Sequence, residues 1–185
     1  YLEQPDNLLF SRRNMPLGPI YGEKSWFLSD EKRDDPNNWS IHSGNKKDYA
    51  PLSKLRDALR SKGTPSFDDK IRKILDVNHY MHYLVDATIT KKVNPSSHNY
   101  RYYFDPKRGV FQILPWYQMG YYYNHKFNRD NRGTYLLIND VAHGLLIIPS
   151  YLQAYQKLLW KKINTTYSPG TLKKIFNQIK NKAMP

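Results

Sequence analysis

The apolar pattern changes period between residues 90 and 114, and this change limits the possible folds more than any other feature. From residue 50 to 90 apolar residues recur every three or four positions, as in helices with one buried face. Leu52, Leu55 and Leu59 form one stripe, with Pro51 at a first helical position and Gly63 as the stop. Ser66 is expected to cap a second helix, with Asp68 and Asp69 in the first turn, where the helix dipole favours acids. Ile71, Ile74 and Leu75 supply its apolar side. A third helix is predicted over about 78–89, nearly apolar around Tyr80, Met81, Leu84 and Val85, and central in the fold. From residue 100 the period becomes two. Residues 100–104 and 110–114 read as strands joined by the turn Asp105-Pro106-Lys107-Arg108-Gly109, a β-hairpin that Pro115-Trp116 ends. The pattern predicts an α+β chain, mostly helical, with one hairpin in its middle.

The flanks carry weaker signals. Residues 1–50 read as irregular, broken by Pro5, Pro16, Pro19 and Pro36, with short extended pieces at 8–10 and 20–21. Residues 117–133 are aromatic, polar and loop-like. Helical periodicity returns at the end. Leu152, Tyr155, Leu159 and Ile163 fall on one stripe with Lys157 and Lys161 opposite. Ser168-Pro169 starts a last helix, whose stripe is Leu172, Ile175, Phe176 and Ile179.

Composition removes several function classes. The 185 residues suit one domain of ordinary size, and 39% hydrophobic content is too apolar for a disordered chain. The longest aliphatic run is four residues, 145–148, so no segment is long enough to span a membrane as a helix. Cysteine is absent, which excludes disulfides, a thiol nucleophile and cysteine zinc sites. The chain begins with Tyr1, and a processed or excised piece of a longer protein is expected.

The net charge is +13, unevenly spread: residues 151–185 hold seven lysines and no acid. Such a surface attracts anionic polymers, lipid surfaces or acidic proteins. The alternative is codon bias in an AT-rich genome, since lysine outnumbers arginine 19 to 10 and Asn and Tyr are plentiful. His79 and His82 stand three apart, as helical metal ligands can, but no carboxylate-histidine signature surrounds them. No serine or cysteine triad pattern is present. Asn38-Trp39-Ser40 and Asn164-Thr165-Thr166 match the glycosylation acceptor, a triplet that also arises by chance.

The segment 94–119 holds a polar loop ending in His98-Asn99, then the hairpin, then Pro115-Trp116. Kinase-fold phosphotransferases use this order, because the hairpin brings two sets of metal ligands to one place. The chain resembles the CotH kinase family of spore-coat-protein-H-like atypical kinases, in four pieces. Tyr1-Leu2-Glu3-Gln4-Pro5-Asp6 with Leu9, Arg12, Arg13 and Ile20-Tyr21 is the first, and Asp48-Tyr49, Leu52 and Ile74-Leu75-Asp76-Val77 the second. His98-Asn99-Tyr100-Arg101-Tyr102-Tyr103 with Phe111-Gln112-Ile113-Leu114-Pro115-Trp116 is the third. Ile148-Pro149-Ser150-Tyr151 with Tyr155 is the fourth.

The resemblance implies the helical lobe of a kinase-like fold in a single domain over residues 1–185, without the upstream nucleotide-gripping lobe. It implies ATP with Mg²⁺ or Mn²⁺ as cofactor in active members. Position by position, Asn99 matches the metal-binding Asn, and Asn94 stands where the family has its base Asp. Tyr117 and Met119 stand at the metal carboxylates, and Glu3 at an early family Glu near the nucleotide-gripping lobe. Asn94 takes no proton at neutral pH, and Tyr117 and Met119 offer no anionic oxygen to a hard cation. Asp86, Asp105 and Asp130 are the nearby acids available as substitutes, with Asp105 read as a turn residue and Asp86 as a helix-surface residue. Tyr117, Tyr121, Tyr122 and Tyr123 fill the vacated region with aromatic bulk.

The leading expectation is a pseudokinase with a structural or scaffolding role in a surface, coat or multi-protein assembly. It would sit outside the cell, at the cell surface or in a spore coat, among other coat proteins. One alternative is an active atypical protein kinase using ATP and Mg²⁺ or Mn²⁺. The other is a basic module binding an anionic polymer or surface, with nucleic acid not expected as the partner.

Overall fold

The computed structural model describes residues 7–24, 35–45, 47–90, 100–115 and 140–183. Helix α1 (Asn7–Arg12) precedes strand β1 (Ile20–Glu23), and a 3-10 turn (Pro36–Asn38) precedes β2 (Trp39–Ser43). Three helices follow: α2 (Ala50–Arg60), α3 (Phe67–Ile74) and α4 (Val77–Ile89). The hairpin is β3 (Tyr100–Asp105) and β4 (Val110–Pro115), and α5 (Asp140–Leu146), α6 (Pro149–Asn164) and α7 (Pro169–Ala183) complete the order.

The hairpin is not isolated. It forms the edge half of a four-stranded sheet of order β2-β1-β3-β4, antiparallel throughout. Strand β2 falls in the region read as irregular, yet its burial alternates: Trp39, Ile41 and Ser43 are buried, and Ser40 and His42 only partly. Residues 8–10, read as extended, lie instead in α1. The helix is short, and Leu9 and Phe10 are held by burial against Ile20, Tyr103 and Leu114 rather than by propensity.

Alternation along the strands builds three layers. Tyr21, Trp39, Ile41, Tyr102, Phe111 and Ile113 face the helices and make the main core with Leu52, Leu55, Ile71, Tyr80, Val85 and Leu145. Ile20, Tyr103 and Leu114 face the other way, under α1. Phe111 is the hub of the sheet side. Its ring centroid lies 5.2 Å from Phe104, 5.7 Å from Tyr21 and 6.2 Å from Tyr102.

The predicted helices form for the stated reasons, with local differences. Pro51 sits in the first turn of α2, and Leu52, Leu55 and Leu59 are buried. Gly63 takes φ +83° where the chain reverses, and Gly109 takes φ +70° in the hairpin turn. Ser66 precedes α3 but makes no side-chain cap bond; its Oγ lies 3.0 Å from Thr64 Oγ1. Asp76 does cap α4, its Oδ1 accepting from the His79 amide at 3.0 Å. On α6 Tyr151 and Tyr155 are buried and Leu152 and Leu159 pack partly buried against the core, so the expected stripe is the packed face except at its end, where Ile163 is exposed. The stripe of α7 is not packed: Leu172, Ile175, Phe176 and Ile179 are all exposed. No described helix is long and apolar enough to cross a membrane.

Candidate functional site

The sequence points to the open end of the hairpin. There Tyr100 pairs with Pro115, so the chain enters and leaves the hairpin at one place. Glu3, Asn94, Asn99, Tyr117 and Met119, together with Tyr121, Tyr122, Tyr123 and Asp130, lie outside the described residues. What the structure gives is the frame around them.

The turn end of the hairpin is fixed by Asp105. This buried carboxylate accepts from the amides of Lys107 at 2.9 Å and Arg108 at 3.3 Å, the turn role its sequence context predicts. Asp76 then ties the start of α4 to the same hairpin. Its Oδ2 accepts from Arg108 Nη1 at 2.7 Å and Gln112 Nε2 at 3.1 Å, and its amide donates to the Phe111 carbonyl at 2.8 Å. Burial opposes ionisation of Asp76. The His79 amide, Arg108 and Gln112 outweigh it and hold the carboxyl below the ordinary carboxylate range. His79 Nε2 donates to the Ile113 carbonyl at 2.8 Å, so this ring closes a helix–strand contact. The start of the helix leading toward residues 91–99 is thus bonded directly to the strand leading toward 116.

The far end of α4 is tied to α6 and the turn after it. Lys162 Nζ donates to Asp86 Oδ2 at 2.6 Å and the Tyr167 hydroxyl to Asp86 Oδ1 at 3.0 Å. Asp86, read as a helix-surface residue, is therefore a tertiary anchor. Tyr155 donates to Thr88 Oγ1 at 2.9 Å. Tyr151 donates to Asp68, whose carboxyl is lowered first by the Arg72 hydrogen bond and then by Tyr151; Arg72 also stacks 5.1 Å from the Tyr151 ring centroid. At the start of α5, Asp140 accepts from Lys62 Nζ at 2.9 Å. The described residues beside 91–99 and 116–139 are bonded into the body: Thr88 to Tyr155, Tyr100 paired with Pro115 in the hairpin, and Asp140 to Lys62.

These bonds join the four sequence pieces to one another. Tyr21 donates to the Asp48 carbonyl at 2.8 Å, joining the first piece to the second. Asp76 and Gln112 join the second to the third. Tyr151 and Tyr155 fasten the fourth to α3 and α4. Sequence reasoning quoted Asp76 within a motif but gave it no partner. An Asp immediately before the apolar helical run that starts at Val77 is the cap signal that was there to be read. The ion pairs Lys62–Asp140 and Lys162–Asp86 span 78 and 76 residues and carry no local signal.

At the positions that the resemblance matches, Asn99 is the residue type the family itself uses for metal, whereas Asn94 supplies a neutral amide, Tyr117 a phenol and Met119 a thioether where carboxylates would serve a hard cation. Of the substitute acids, Asp86 and Asp105 are engaged in the frame, and Asp130 lies outside the described residues.

Comparison with known proteins agrees with this frame. The family model described as CotH kinase protein matches residues 19–185. The chain is 21% identical over 184 residues to the inner spore coat protein H of Bacillus subtilis (strain 168), an alignment covering 90% of this chain and 49% of that protein. The chain thus spans about half the length of this curated relative. With the match running from just before β1 through the hairpin to the last helix, the chain belongs to the CotH kinase family.

Proposed function

We propose that this chain is a CotH-family protein that does not transfer phosphate and acts as a structural or scaffolding component of a coat or surface assembly. One feature supports the reading: neutral side chains stand where the resemblance puts the family's acids, on a frame whose own motif residues are hydrogen-bonded to each other. Asn94 is no general base. Tyr117 and Met119 supply no counter-charge for a metal–nucleotide complex, and phosphoryl transfer depends on that charge neutralisation. Asp86 and Asp105 are committed to Lys162, Tyr167 and the hairpin turn. The name of the Bacillus relative supports a coat location, where a rigid basic domain serves as a binding surface for other coat proteins.

The test is transfer from γ-labelled ATP, with Mg²⁺ and separately Mn²⁺, to the protein itself and to an acidic and a serine-rich acceptor. No incorporation above that of a heat-denatured control is expected. Metal-dependent incorporation that Asn99→Ala abolishes would establish an active atypical kinase and overturn the reading.

A further inference from the structure

We draw no further inference here: the strongest candidate, the exposed apolar stripe of helix α7 formed by Leu172, Ile175, Phe176 and Ile179, carries nothing because nothing in the structure shows what covers it.

Discussion

Helices α2 and α7 have the same kind of sequence and opposite fates. Each carries an apolar stripe at helical spacing, lysines or arginines on the other side, and a proline in its first turn. In α2 the stripe residues Leu52, Leu55 and Leu59 are 3%, 1% and 8% exposed; in α7 no stripe residue is below 43%. An amphipathic pattern states that a helix has a face to bury, but it does not state in what. For α2 the answer is local, because α3 and the helix-facing side of the sheet lie within reach of a short chain. For α7 the described part of the chain offers no such surface.

The comparison can be broken in several places. The largest expected effect is at the hub of the core. Phe111→Ala removes a fully buried ring that touches three others and should cost about 3–5 kcal/mol, read from urea denaturation. Leu55→Ala in α2 should cost about 2–5 kcal/mol by the same measurement. A smaller loss, about 1–3 kcal/mol, is expected for Gly144→Ala, whose new methyl would meet Phe67 Cζ at 2.6 Å. Losing less than half a kcal/mol there would mean that α5 stands further from α3 than described.

The Asp76 tie should come next. Asp76→Ala removes the α4 cap and the acceptor for Arg108 and Gln112, at about 1–3 kcal/mol. Because the folded carboxyl is lowered, its stabilisation is complete above the ordinary carboxylate pKa of about 4. It is lost as pH falls through the lower folded value. The wild-type chain should therefore lose stability below about pH 4, and Asp76→Ala should lose less over the same interval. The smallest effect belongs to α7. Phe176→Ala should change stability by less than about 0.5 kcal/mol, and a loss the size of that at Leu55 would erase the contrast between the two helices.

Legibility followed the range of the interactions. The hairpin was readable to within one residue at each strand end, because period-two alternation and a Gly-containing turn are local. The starts of α2 and α4 were readable to within one or two residues for the same reason. Strand β2 was not, although Trp39 and Ile41 alternate with Ser40 and His42, because the surrounding prolines and Asn-rich turns mask a five-residue pattern. Helix α1 was not readable because burial of Leu9 and Phe10 against the sheet decides it, and that is a contact across about a hundred residues. At the candidate site the neutral residues Asn94, Tyr117 and Met119 were visible in sequence. The ties that commit Asp86 and Asp76 were not, since both depend on partners distant in the chain.

The most direct test of the central claim, that the family frame is kept while its nucleotide chemistry is lost, is thermal melting of the protein with ATP alone and with ATP plus Mg²⁺ or Mn²⁺. A ligand at a hundred times its dissociation constant adds about 2.7 kcal/mol, a shift of several degrees for a domain of this size. The account predicts one cooperative transition at the same temperature in all conditions. A metal-dependent rise that Asn99→Ala removes would contradict it and show that the site still holds a metal–nucleotide complex.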